Sequence, residues 1–306
     1  MKKNNPTLLL IDDEERILRS MRMLFFSGYN VRMTTDPHEA LKILREERVH
    51  VIVSDQRMPL MQGSELLRLA RETSPATMRI LLTGYSDLEA SIASVNEGEV
   101  FRYLTKPWDA AEVKKVVAEA AAIAESSFEP QSHIAIPADI ANIKPRVLVM
   151  DHDELTAKTV HEILGDRCEI IWAADAQHAM EELAKQDVSV VVSDIMLGET
   201  NVSYILKTIK QLNPQTQCIV LTSFSDTSRL IELINQAQIT RFLPKPVGKN
   251  NFARNLESML ERFNVLRSKP ALQNRQSVAP IIDPQEKILA GNFLGLFGRL
   301  RAKINA

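Results

Sequence analysis

The chain has 306 residues, 45% hydrophobic and 25% charged, with a formal net charge of −2 and a pI near 6.3. This composition excludes a disordered polypeptide, gives no global basic field for nucleic acid, and leaves length for two full domains. Only two cysteines occur, Cys168 and Cys218, on separate predicted strands, which excludes a disulfide framework and favours a reducing compartment.

The start, MKKNNPTLLLIDDEE, meets acids after a short apolar run, too short for a signal-peptide core, and nothing reaches the roughly 18 apolar residues of a membrane span. A cytoplasmic protein is expected. A strand at 8–11 (LLLI) leads to a helix from about Glu14 to Phe26, a strand VRMT, and a helix from Pro37 to Glu47. The alternation continues with a strand at 49–55, a helix from Gly63 to Thr73, a strand at 78–83, a helix from Leu88 to Glu97, a strand at 100–105 and a helix from Asp109. Continuous apolar strands alternating with amphipathic helices predict a doubly wound parallel sheet, whose ligands bind at the carboxyl ends of its strands.

Residues 126–145 carry three prolines and no periodic stripe, and so read as a linker between domains at 5–125 and 146–267. Beyond it the order repeats: RVLVM, a helix from Glu154, CEIIWA, a helix from Ala176, VSVVVSD, a helix from Asn201, QCIVLT, a helix from Ser228, TRFLP and a helix from Asn250 towards Arg267. On that last helix Phe252, Leu256, Leu260, Phe263 and Leu266 share a stripe that either covers its own sheet or meets a second copy of the chain. Residues 268–284 read as a spacer, and 285–306 as a short amphipathic helix with Ile288, Leu289, Phe293, Leu296, Phe297, Leu300 and Ile304 on one face. That helix could pack back on the chain, fill a partner's groove or, least favoured, touch a membrane. Gly291, Gly295 and Gly298 weaken it in isolation.

The chemistry sits at the strand ends. Asp12, Asp55, Thr83, Lys106 and Pro107 recur as Asp151, Asp194, Thr222, Lys245 and Pro246, each offset by 139 residues with intervals of 43, 28 and 23 preserved. Carboxylates gathered from Asp12, Asp13 and Asp55 need a cation, and hard oxygen ligands suit Mg2+. A carboxylate beside such a metal can attack phosphorus, while a threonine hydroxyl and a lysine ammonium hold phosphoryl oxygens.

On these residues both copies resemble CheY-like response-regulator receiver domains of two-component signalling, with a flavodoxin-like (βα)5 fold. The resemblance implies that Asp55 and Asp194 accept phosphoryl groups from a histidine kinase or histidine phosphotransfer protein. It also implies that Asp12, Asp13, Asp55 and the Arg57 backbone carbonyl bind Mg2+, with Asp151 its counterpart. Thr83, Lys106, Thr222 and Lys245 would bind phosphate, Tyr103 and Phe242 would be the switch aromatics, and cis peptides are implied before Pro107 and Pro246. The stretch RILLTGYSDLEASIASVNEGEVFRYLTKPWD is similar to receivers of HD-type phosphodiesterase and hydrogenase-regulator response regulators. The residues after 267 are too few for those output domains and carry no helix-turn-helix pattern, so a downstream protein, not DNA, is the expected target.

One position departs from the pattern. His152 stands where Asp13 stands in the first copy, and imidazole is a poorer Mg2+ ligand than carboxylate. The second receiver is therefore expected to bind Mg2+ weakly and to be phosphorylated slowly or not at all, with Asp153 as a rescue ligand. It could serve as a pseudo-receiver scaffold, or, if both aspartates work, the chain could be a phosphorelay. A phosphatase reading of Asp151-His152-Asp153 fits poorly because Leu155 stands where the D-x-D motif of haloacid-dehalogenase phosphatases wants Thr or Val. His38-Glu39 and His161-Glu162 lack the second histidine of a zinc HExxH site.

Overall fold

A computed structural model describes residues 5–84, 100–128, 144–198, 200–222, 227–239, 241–268, 278, 281 and 283–304. The chain divides into two compact units, residues 1–131 and 132–306. The helix expected at 88–97 and most of the linker and spacer lie outside the described residues.

In the first unit five strands, β1 (Thr7–Ile11), β2 (Asn30–Thr34), β3 (Val51–Asp55), β4 (Met78–Thr83) and β5 (Arg102–Thr105), form one parallel sheet in the order β2-β1-β3-β4-β5. Its helices are α1 (Glu15–Phe25), α2 (Pro37–Glu46), α3 (Gly63–Thr73) and α4 (Ala110–Phe128). The apolar runs of β1, β3 and β4 are buried throughout, as strands covered on both faces must be. Local signals set the helix starts: Asp36 accepts the His38 amide at 2.8 Å with Pro37 in the first turn, which satisfies an otherwise orphaned donor.

The second unit repeats the plan with β6 (Arg146–Met150), β7 (Glu169–Ala173), β8 (Val190–Asp194), β11 (Gln217–Thr222) and β12 (Arg241–Pro244), in the order β12-β11-β8-β6-β7. Its covering helices are α5 (Glu154–Leu164), α6 (Ala176–Lys185), α7 (Ser203–Leu212), α8 (Thr227–Ala237) and α9 (Lys249–Ser268). Phe252, Leu256 and Leu260 of the α9 stripe join the core of this unit together with Met259. Cys168 and Cys218 are buried free thiols.

Two expectations are corrected. The helix after β8 does not begin at Asn201, because β9 (Met196–Leu197) and β10 (Thr200–Asn201) first make a two-residue antiparallel hairpin, with Gly198 at φ +62° turning the chain. Asn201 then accepts the Ser203 amide at 2.9 Å and starts α7 two residues later.

The tail does form a helix, α10 (Pro284–Ile304), which packs on α6 and α7. Its buried face, however, is Ala290 and Phe293 with Leu296, Phe297 and Leu300 half-buried, whereas Ile288 and Leu289 are exposed. The face shifted because a polar clasp sets the rotation of α10. Glu286 pairs with Lys207, which is 0% exposed and lies 2.6 Å from Glu232, and Glu286 also accepts the Ser203 hydroxyl at 2.5 Å. At the other end Arg301 meets Asp187 at 3.2 Å. Among the described residues no helix is long and apolar enough to cross a membrane.

Candidate phosphoryl-acceptor sites

In the first unit the strand order places β1 and β3 side by side, so the residues that end them meet at the carboxyl edge of the sheet. Asp12 follows β1 and is 1% exposed; Asp55 ends β3 and is 4% exposed. Lys106 follows β5 and brings its Nζ to 3.1 Å from Asp12 Oδ2 and 2.5 Å from Asp55 Oδ1. The other oxygens are held by backbone: Glu14 N–H donates to Asp12 Oδ1 at 2.9 Å and Arg57 N–H to Asp55 Oδ2 at 2.8 Å. Asp13, next in the chain after Asp12, is exposed.

Two buried carboxylates thus share one ammonium. Burial pushes the Asp55 carboxyl above its ordinary value, the hydrogen bond and charge of Lys106 oppose that, and neighbouring Asp12 adds to it. Burial draws Lys106 down, but Asp55 and Asp12 outweigh it and hold the ammonium above its ordinary value. A site with this surplus of negative charge in low dielectric fits a small divalent cation.

Thr83, 1% exposed at the end of β4, donates its hydroxyl to the Gly84 carbonyl at 3.1 Å. Tyr103 on β5 is 1% exposed, and burial pushes its phenol well up. The Lys106–Pro107 and Lys245–Pro246 peptide bonds are both cis.

The second unit brings the corresponding groups together differently. Lys245 Nζ lies 2.9 Å from Asp151 Oδ2 and 2.6 Å from Asp194 Oδ2. Asp151 Oδ2 also accepts the Thr156 hydroxyl at 2.8 Å, and its Oδ1 accepts the Asp153 amide at 3.0 Å. Burial alone would raise Asp151, but these donors and Lys245 hold it below its ordinary value. Burial likewise draws Lys245 down, and its hydrogen bonds to Asp194 and Asp151 hold it above its ordinary value. His152 Nδ1 lies 3.3 Å from Asp151 Oδ1. Asp153, considered above as a rescue ligand, spends its carboxylate on capping α5 through the Leu155 amide at 2.8 Å. Phe242 is 1% exposed, and β11 ends at Thr222, whose side chain is outside the described residues.

Three contributors escaped the sequence reading. Gly63 opens α3 so close to β3 that a Cβ there would stand 1.9 Å from the Asp55 carbonyl oxygen. Its counterpart is Val202, so the glycine was visible as a break in the repeat. Thr156 replaces Ile17, and Trp172, which donates its indole N–H to the Asp151 carbonyl at 2.8 Å, replaces Met33. Both departures could be read by aligning the copies, although their contacts could not.

Comparison with known proteins agrees with the duplicated geometry. The family model described as "Response regulator receiver domain" matches twice, over residues 8–118 and 147–257. A hydrogenase transcriptional regulatory protein HoxA from Bradyrhizobium diazoefficiens is 30% identical over 196 residues, which is 63% of this chain and 39% of that protein. Another HoxA, from Cupriavidus necator, is 38% identical over 108 residues, 35% of this chain and 22% of that protein. The chain therefore spans well under half the length of these relatives. Among solved structures, the signal receiver domain of an HD domain-containing protein from Pseudomonas fluorescens Pf-5 is 34% identical, covering 43% of this chain and 97% of that one with a TM-score of 0.41.

Proposed function

Because the chain belongs to the response regulator receiver domain family and carries that domain twice, we propose that it takes a phosphoryl group on Asp55 from a histidine kinase or histidine phosphotransfer protein and signals by phosphorylation-dependent protein contacts. The receivers span 5–125 and 146–267, joined by a linker at 126–145 into which α4 runs as far as Phe128. The observation that carries the reading is Lys106, bridging Asp12 at 3.1 Å and Asp55 at 2.5 Å. An ammonium so placed can transfer one of its contacts to a phosphoryl oxygen without leaving the site.

In the reaction an Asp55 carboxylate oxygen attacks phosphorus, an O–P bond forms as the donor N–P bond breaks, and the histidine nitrogen keeps the electron pair. The Arg57 amide fixes the carboxylate through Oδ2. Asp12, Asp13, Asp55 and the Arg57 carbonyl would hold Mg2+, which supplies positive charge against the phosphoryl oxygens. Thr83 exchanges its bond to the Gly84 carbonyl for one to the phosphoryl group, and the surface near β4 and Tyr103 changes with it. No other substrate is turned over; the chemistry is the receiver's own phosphorylation and dephosphorylation.

Asp194 is the weaker acceptor in this reading, because His152 removes one acid from its pocket. Intact-protein mass after treatment with acetyl phosphate and Mg2+ tests the assignment in wild type, Asp55→Asn and Asp194→Asn. The expected outcome is one phosphate per chain, nearly all lost in Asp55→Asn and largely retained in Asp194→Asn. Two phosphates, one lost in each variant, would instead support the phosphorelay reading.

A further inference from the structure

His152 need not be a defect. Among the described residues one group of three metal-binding side chains converges, Asp151, His152 and Asp194, with one ligand atom of each lying within 4.8 Å of the others. We propose that these three residues form a divalent-cation site that takes an imidazole-accepting transition-metal ion, with Zn2+ as its representative, in preference to Mg2+. The inference rests on the receiver reading of the pocket and changes the identity of its metal.

Three observations support it. First, exchanging a carboxylate for an imidazole removes a negative charge and a hard oxygen ligand, the two properties that favour Mg2+, and supplies the nitrogen that suits Zn2+. Second, Lys245 occupies the Oδ2 branch of both carboxylates, while His152 Nδ1 stands beside the other branch of Asp151 at 3.3 Å. The ammonium and an ion beside His152 therefore make use of different oxygens of Asp151. Third, the framework behind the ligands is tied down: Asp151 is 0% exposed and held by Thr156 and the Asp153 amide, and its carbonyl is held by Trp172. The His152 side chain is 64% exposed, so its ring can rotate to close around an ion whose nitrogen and oxygen ligands sit about 2.1 Å away.

Trp172 also supplies the readout. In the full chain carrying Trp108→Phe it is the sole tryptophan, and its indole is bonded to the residue that would hold the ion. Titrating its emission with Zn2+ and, separately, Mg2+ gives two midpoints, and the Mg2+ midpoint divided by the Zn2+ midpoint measures the preference for Zn2+ at this pocket. Because Zn2+ binds most mixed sites more tightly than Mg2+, the decisive quantity is the change in that ratio in His152→Asp. We expect the ratio to fall by ~10-fold or more, with the Zn2+ midpoint rising and the Mg2+ midpoint falling. His152→Ala, a second exposed-site variant, should raise the Zn2+ midpoint without lowering that for Mg2+. An unchanged ratio in both variants, or no saturable Zn2+ response of Trp172, overturns the proposal. A parallel Trp172→Phe chain reports Mg2+ through Trp108 near the first pocket. If Trp108 responds to Mg2+ while Trp172 responds to neither ion, the metal inference fails and the receiver reading stands; if neither tryptophan responds to any ion, both fail.

Discussion

The two candidate phosphoryl-acceptor pockets carry the same lysine bridge on unequal foundations. In the first, Lys106 joins two buried carboxylates, and the Asp55 end of β3 is closed by Gly63, where nothing larger than hydrogen fits. In the second, Lys245 makes the same bridge, but a hydroxyl braces Asp151, an imidazole stands beside it, Val202 replaces the glycine, and a two-residue hairpin follows Asp194. The backbone link is conserved: Gly63 N–H donates to the Gln56 carbonyl at 3.0 Å and Val202 N–H to the Ile195 carbonyl at 2.9 Å. Duplication has kept the sheet and the lysine while the loops and ligands around them diverged. The scaffold tolerates this because each strand end is positioned by the buried sheet and not by its loop.

The largest test of that inequality is the strap. Phe293 is 2% exposed on α10, which packs on α6 and α7 of the second unit. Phe293→Ala should lower the stability of the second unit by about 3 kcal/mol, the usual cost of emptying a buried aromatic site. Two-transition denaturation should show the first unit unchanged; equal movement of both transitions would break the comparison.

Next is the glycine. Gly63→Ala forces a methyl against the Asp55 carbonyl and should cost the first unit about 2–3 kcal/mol. Val202→Ala, at the matching position, only trims a buried side chain and should cost about 1–2 kcal/mol in the second. Differential denaturation of the two variants checks the order. A smaller effect belongs to Thr156→Ile, which gives the second pocket the residue the first has at Ile17. Losing a hydroxyl bond to a buried carboxylate should cost about 1–2 kcal/mol and raise the Asp151 pKa, measurable by carboxyl NMR titration.

The smallest difference is one of pH. His50 in the first unit accepts the Thr7 amide through Nδ1 at 3.0 Å and bonds Glu125 through Nε2 at 2.8 Å; Ser189 stands at its place in the second. Burial, opposed by Glu125, lowers its pKa below the ordinary 6.5. The unfolded chain then binds the proton more readily, so this contribution is complete above 6.5 and is lost as pH falls below it towards the lowered folded value. Urea titrations from pH 7.5 to 5.5 should show that decline in the first unit, reduced in His50→Gln.

Much of this was legible without coordinates. The repeat, the parallel sheets and the residues at their carboxyl edges follow from apolar runs alternating with helical stripes, because a strand buried on both faces is mostly apolar until it ends. The constellation at 12, 55, 83 and 106 was therefore readable as a set, and its recurrence made chance an inadequate account. The tail was legible as a helix, but not in its orientation. Its apolar residues extend around more than one face, and the choice fell to the Glu286 contact with a lysine 79 residues earlier.

The sequence by itself thus determined the elements, their order and the chemical inventory at each strand end, since these depend on local periodicity and on topology that parallel sheets restrict tightly. Only the tertiary structure decided how that inventory is distributed. It set which carboxylate oxygens the lysines take, which glycine lies against Asp55, and that His152 and two aspartates converge within 4.8 Å. Those facts depend on distances between segments far apart in the chain, and spacing along a sequence carries no such distances.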